Sequence, residues 1–283
     1  MVRTPPAERV RARLAAVVGA ELAGTMPSGY QRLGRVLVLR LPASLAPYRR
    51  LLGDAWREEL GVATVLVRSG PIDGELREPR LELASGGPTE TEVTEHGSRW
   101  CLDAGRIMFA AGNRTERLRF ARVVRSGERV VDLFAGIGYF TVPAARAHRD
   151  ASFVAVEKNP VAFAYLVQNL RRNGVASRVR AVLGDNRSVP LEPASSDRVL
   201  LGYLPSSLPW VRTALPLLDR AGGALHVHLV ADARGAVARA SAEVAAEVTR
   251  HGGRLLEPPR GREVKPYGPG RTHVVVDVAV RPP

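Results

Sequence analysis

The sequence has one cysteine (Cys101), two lysines (Lys158 and Lys265) and few aromatic residues (5%). No apolar run approaches the roughly 20 residues needed to span a bilayer. A lone cysteine excludes a disulfide framework and a cysteine-based zinc site. The stretch Met1–Ala15 is rich in arginine, and no long apolar segment follows it, so it is not read as a secretory signal. These absences predict a protein of a reducing cytoplasm, with no membrane partner and no metal. What is present is charge of one sign. Against 28 acidic residues stand 41 basic ones, a formal net charge of +13, and all but two of the basic residues are arginine. A GC-rich coding sequence explains the choice of arginine over lysine but not the excess over acid. Such an excess favours a polyanionic partner, because each neutralised phosphate releases counterions. With 45% apolar residues in 283, a sizeable core is expected.

Two regions differ in pattern. In the first, Val10–Leu22 and Leu45–Leu60 have helical spacing, and Gln31–Leu41 and Val62–Arg68 read as strands. Ser69–Gly87 reads as loops around short strands, and Thr91–Cys101 as extended chain. From Arg129 onward, strands and helices alternate. Strands are expected at 130–133, 152–156, 179–183, 197–201, 223–229, 254–257 and 273–280, with helices at 139–147, 160–173 and 236–251 and one ending near Leu218. This alternation predicts a parallel sheet with helices on both faces. The expected architecture is α/β: a smaller α+β domain over residues 1–95, then a Rossmann-like domain over 96–283.

In an open parallel sheet, ligands bind at the carboxyl ends of the strands. The first such end carries Asp132-Leu133-Phe134-Ala135-Gly136-Ile137-Gly138, whose glycines let the backbone approach a ligand. The second ends at Glu157, about twenty residues later, where a carboxylate accepts from both hydroxyls of a ribose. The third ends at Asp185-Asn186, a pair suited to an adenine edge or a nearby amine. The third glycine of a dinucleotide fingerprint is missing, and with it the pyrophosphate cradle. The combination fits S-adenosylmethionine (SAM), in a class I SAM-dependent transferase fold.

The run 132–140 resembles motif I of two related tRNA enzyme families: the guanosine N1-methyltransferases acting beside the anticodon, and the wybutosine-synthesis 3-amino-3-carboxypropyl transferases. The resemblance extends from about Tyr30 through Thr91–Gly97, Glu157-Lys158-Asn159-Pro160, Gly184–Arg187, Gly202-Tyr203-Leu204-Pro205 and Lys265–His273. Several segments resemble the second family more. Gly202-Tyr203-Leu204-Pro205 stands where the methyltransferases have Asn-Leu-Pro, and Gly112 stands where they have an arginine thought to be catalytic. Asp185-Asn186-Arg187 also looks like the transferase, and no counterpart of the methyltransferases' extra N-terminal domain is found. The resemblance implies transfer of the 3-amino-3-carboxypropyl group of SAM to a guanosine-derived base in tRNA, releasing methylthioadenosine. It implies SAM contacts by Arg117, Glu157, Asp185 and Asn186, with Arg117 as a partner for the methionine carboxylate. The usual Ser at Ala110 is absent, which removes one hydroxyl from the methionine arm. The full cofactor-binding expectation is Ala110, Arg117, Phe134, Gly136, Gly138, Glu157, Asp185, Asn186 and Tyr203.

No catalytic residue is assigned. Glu128 reads as a charged turn residue rather than a base, His226 and His228 as a strand pair on one face rather than a metal site, and His96 and His273 as structural. Tyr139 and Tyr203 suit either stacking on a flat ligand or packing. Arg49, Arg50, Arg57, Arg171, Arg172, Arg178 and Arg180 are candidates for a phosphate-binding surface. Three other readings stay open: a guanosine N1-methyltransferase, an aminocarboxypropyl transferase with a small-molecule acceptor, and a non-catalytic RNA-binding protein.

Overall fold

A computed structural model describes residues 4–72 and 74–283. The start of the stretch read above as free of a signal, residues 1–3, lies outside the described residues. The chain forms two compact units, Met1–Phe109 and Ala110–Pro283.

In the first unit, α1 (Pro6–Val18) and α2 (Ala20–Gly24) replace the single helix expected over 10–22, because Gly19 takes φ +85° and breaks it. The strand expected over 31–41 is a hairpin of β1 (Tyr30–Leu33) and β2 (Val36–Leu39). Its turn needs Gly34, at φ +54°, since a Cβ there would lie 2.2 Å from the Glu92 carbonyl oxygen. A 3-10 turn, Ala43–Tyr48, containing Pro47, precedes α3 (Arg49–Leu60), where one helix was expected. Strands β3 (Thr64–Arg68) and β4 (Leu81–Ser85) complete a four-stranded sheet in the order β1-β2-β3-β4, with β2 and β3 parallel. Val10, Leu14, Leu37, Leu39, Leu52 and Trp56 form its core. The extended chain expected over 91–101 is a second hairpin, β5 (Glu90–Glu95) with β6 (Ser98–Asp103). His96 and Gly97, both at positive φ, make its turn. The domain boundary expected between 95 and 96 falls at this turn, whose two strands both belong to the first unit.

The second unit opens with α4 (Arg114–Val123) and continues β7 (Arg129–Asp132), α5 (Thr141–Ala147), β8 (Ser152–Glu157), α6 (Pro160–Arg172), β9 (Val179–Leu183), β10 (Arg198–Leu201), α7 (Val211–Ala214), β11 (Gly223–Asp232), α8 (Ala236–Arg250), β12 (Arg254–Leu255), β13 (Arg260–Gly268) and β14 (Arg271–Arg281). Five strands are parallel, in the order β9-β8-β7-β10-β11, and β14 adds antiparallel to β11. This is the expected α/β architecture. The order reverses between β7 and β10, which places a crevice at their carboxyl ends. Two clusters of buried side chains cover the two sheet faces. One holds Val199, Leu201, Val227 and Val276, the other Phe120, Phe140, Phe153 and Leu166.

Candidate donor-binding site

The carboxyl ends of β7, β8, β9 and β10 bring Phe134, Gly136, Gly138, Glu157, Asp185, Asn186 and Tyr203 to one rim, while Ala110 just precedes α4 and Arg117 lies near its start. After β7, Asp132 is buried and accepts from the Phe134 amide (3.1 Å) and the Thr141 hydroxyl (2.8 Å). Burial pushes its carboxyl up to about 7, against the lowering effect of those two bonds. The turn that follows carries Gly136 at φ +57° and Gly138 at φ +97°. A Cβ on Gly138 would sit 2.7 Å from Val142 Cγ2 and 3.2 Å from Leu166 Cδ1. Gly138→Ala is expected to lower the unfolding free energy by about 2–4 kcal/mol, from strain and crowding together, measured as a shift in the urea midpoint.

Glu157 ends β8. Its Oε2 accepts from the Gly136 amide and its Oε1 from the Asn159 amide, both at 2.7 Å, so the carboxylate is fixed toward the glycine turn. Burial raises its pKa, and the backbone bonds oppose that rise. The two oxygens together carry four lone pairs, so acceptor capacity remains for a hydroxyl donor. The side chain of Asn159 caps α6 through the Val161 amide (2.9 Å).

After β9, Asp185 sits between two cations. Arg187 forks onto it (2.9 and 2.5 Å) and Lys158 adds a bond at 3.0 Å. The Arg187 bond, more than any other factor, holds this carboxyl well below the usual range. Asn186 is buried and its Nδ2 donates to the Leu133 carbonyl (2.7 Å). Its Oδ1 is buried with no protein partner. Asn169 on α6, which sequence reading missed, donates likewise to the Ile137 carbonyl (3.1 Å). Tyr203, after β10, lies 5.2 Å from Phe134, with their rings 31° apart, and Trp210 packs on both. Arg117 is only 2% exposed. It donates to the Ala110 carbonyl (3.0 Å), with its guanidinium 6.0 Å from the centre of the Tyr139 ring.

The remaining candidates lie elsewhere. Glu128 precedes β7, at the opposite end of the strands, and takes a two-pronged ion pair from Arg198 (2.7 Å each). Arg198 in turn donates to His226 Nε2 (2.6 Å), so that nitrogen carries the lone pair. His226 is therefore neutral, as its burial also dictates, and its Nδ1–H donates to Asp277 (2.5 Å). Asp277 also receives Arg119 (2.8 Å), which is paired with Glu116, and Arg262 (2.8 Å). A hydrogen-bonded chain thus runs from Glu116 through Arg119, Asp277, His226 and Arg198 to Glu128. His228 Nδ1 and His273 Nε2 meet at 3.1 Å, and burial keeps both neutral. Among the described residues, no group of His, Cys, Asp and Glu is arranged to hold a metal. No helix among them is long and apolar enough to cross a membrane.

The candidate phosphate-binding arginines divide. Arg49, Arg50 and Arg57 lie on α3 of the first unit. Arg171 and Arg172 end α6, where they complement its dipole. Arg178 and Arg180 line a concavity of about 520 Å³ with Arg129, Ser152 and Glu192. It opens at the amino ends of β7, β8 and β9, opposite Glu157.

The family model of the TRM5/TYW2 methyltransferase domain matches residues 91–253, and that of the TYW2 N-terminal domain matches residues 10–89. The tRNA(Phe) (4-demethylwyosine(37)-C(7)) aminocarboxypropyltransferase of Pyrococcus horikoshii is 37% identical over 272 residues, 96% of each chain. Among solved structures, P. horikoshii TYW2 in complex with MeSAdo superposes with a TM-score of 0.83 at 32% identity, covering 97% of this chain and 99% of that one. Methanocaldococcus jannaschii TYW2 in complex with AdoMet gives 0.72 at 29% identity, covering 90% and 100%.

Proposed function

The chain belongs to the family defined by the TRM5/TYW2 methyltransferase domain and carries the TYW2 N-terminal domain, and from that premise we propose that it transfers the 3-amino-3-carboxypropyl group of SAM to a guanosine-derived base in tRNA. Its end-to-end likeness to the P. horikoshii aminocarboxypropyltransferase carries this reading. The N-terminal unit is assigned to docking the tRNA and the second unit to the donor. A tRNA substrate and a single cysteine in the sequence suit the cytoplasm.

The residues at the rim fit the donor. Asn186 Oδ1, buried without a protein partner, is an acceptor facing no donor, as an adenine amine requires. Glu157, held by two backbone amides, takes the ribose hydroxyls. Asp185 is saturated by Lys158 and Arg187 and shapes the adenine wall rather than bonding it. Gly136 and Gly138 keep the turn open to close approach, and Phe134 and Tyr203 form an aromatic wall beside it. Arg117 and Ala110 border the amino-acid arm.

When bound, the donor offers three electrophilic carbons on one sulfonium, and the carbon aligned with the acceptor is the one transferred. For the present reaction the acceptor carbon bonds to the methionine Cγ, the Cγ–S bond breaks, sulfur keeps the pair as a neutral thioether, and the acceptor carbon loses its proton. Alignment of this kind accounts for about 7–11 kcal/mol of a barrier in favourable cases. The chain's task is therefore to hold the arm. Incubation with SAM and bulk tRNA is expected to release methylthioadenosine, with the tRNA nucleoside gaining the arm's mass. S-adenosylhomocysteine in its place would make the enzyme a methyltransferase. Methylthioadenosine without tRNA modification would point to a small acceptor.

A further inference from the structure

The turn Ala111–Asn113, just after Ala110, is met by β13 from the far end of the chain. The register of β13 against β14 shifts twice, between Glu263 and Lys265 and again between Pro266 and Gly268. Such bulges re-aim side chains. Here they bracket Lys265, whose stem crosses Gly112. A Cβ on Gly112 would lie 2.7 Å from Lys265 Cδ and 3.2 Å from its Nζ. The lysine thus occupies space that any side chain at 112 would need, and its ammonium lies at this turn. The next residue, Asn113, has a buried Oδ1 with no protein partner. A cation lying across Gly112 and an orphan acceptor on the residue after it match the carboxylate and the ammonium of an α-amino acid.

Four other cations of the unit are placed differently. Lys158 and Arg187 both serve Asp185, Arg119 bridges Glu116 and Asp277, and Arg117 is buried against the Ala110 carbonyl and Tyr139. We propose that this turn holds the donor's amino-acid arm as a zwitterion, its carboxylate on Lys265 and its ammonium on Asn113 Oδ1. This assignment rests on the transferase reading above and names the residues that fix the arm.

The test is differential affinity, measured by isothermal titration with SAM, decarboxylated SAM and methylthioadenosine. Lys265→Met should weaken SAM about tenfold or more, leaving the other two ligands within about twofold. Lys265→Arg should recover most of the loss. Asn113→Leu should weaken SAM and decarboxylated SAM about tenfold while sparing methylthioadenosine. Equal weakening of all three ligands by Lys265→Met would make the lysine a packing residue and overturn the assignment, as would unchanged SAM affinity. The transferase reading fails separately, if wild-type enzyme and tRNA yield S-adenosylhomocysteine, whereas the affinity pattern decides where the arm is held.

Discussion

Asp277→Ala is expected to lower the unfolding free energy by about 3–5 kcal/mol, because it removes the shared acceptor of two guanidiniums and a buried imidazole. Asp277 holds Arg119 and Arg262 at 2.8 Å and accepts from His226 at 2.5 Å. Burial alone would raise its pKa. The His226 bond and the two guanidinium charges outweigh burial and hold it well below the usual carboxylate range. A depressed folded pKa stabilises above the unfolded value and loses that stabilisation as pH falls through the folded one. Wild type and variant should therefore differ most near neutral pH and converge in acid. Urea unfolding at several pH values reads this directly. A loss under about 1 kcal/mol at pH 7 would mean that water replaces the carboxylate at little cost.

The second large effect is on ligand affinity. Glu157→Gln is expected to weaken SAM binding about a hundredfold, measured by isothermal titration. The carboxylate accepts two backbone amides while offering its remaining lone pairs to the ribose. A carboxamide has one accepting oxygen, so its nitrogen would face either the Gly136 or the Asn159 amide, donor against donor. Each charge-assisted bond lost is worth about 1.5–3 kcal/mol, and a hundredfold is about 2.7 kcal/mol. Acid should act in the same direction. Burial raises the Glu157 pKa, so protonation replaces an acceptor with a donor at a higher pH than for an exposed glutamate. Unchanged affinity would remove Glu157 from the ribose.

The parallel sheet was legible because its strands are short, largely apolar runs with Asp132, Glu157 and Asp185 at or just past their ends. Those acids mark carboxyl ends, and carboxyl ends mark the crevice. The elements that escaped sequence reading escaped for physical reasons. Helix α4 buries Glu116 and Arg117 beside Phe120 and Ala121, so no apolar stripe announces it. Strand β13 is largely solvated, carries Pro266 and two glycines, and alternates in neither period. The hairpin of β1 and β2 looked like one strand because Gly34 interrupts an otherwise suitable run by conformation rather than polarity. The strand-end positions of Glu157 and Asn186 could be read from the sequence alone. Asp185 could be placed but not its saturation, since that depends on Lys158 and Arg187 folding back onto it. Lys265 stands out in the sequence only as part of a motif, because its approach to Gly112 spans 153 residues and two register shifts.

Two asparagine amides, one from α6 and one following β9, grip the Ile137 and Leu133 carbonyls from inside the protein. The glycine loop is thereby moulded by the fold itself, before any nucleoside arrives. Freezing that backbone belongs to folding rather than to association, so the binding free energy of the donor is left largely undiminished by loop ordering.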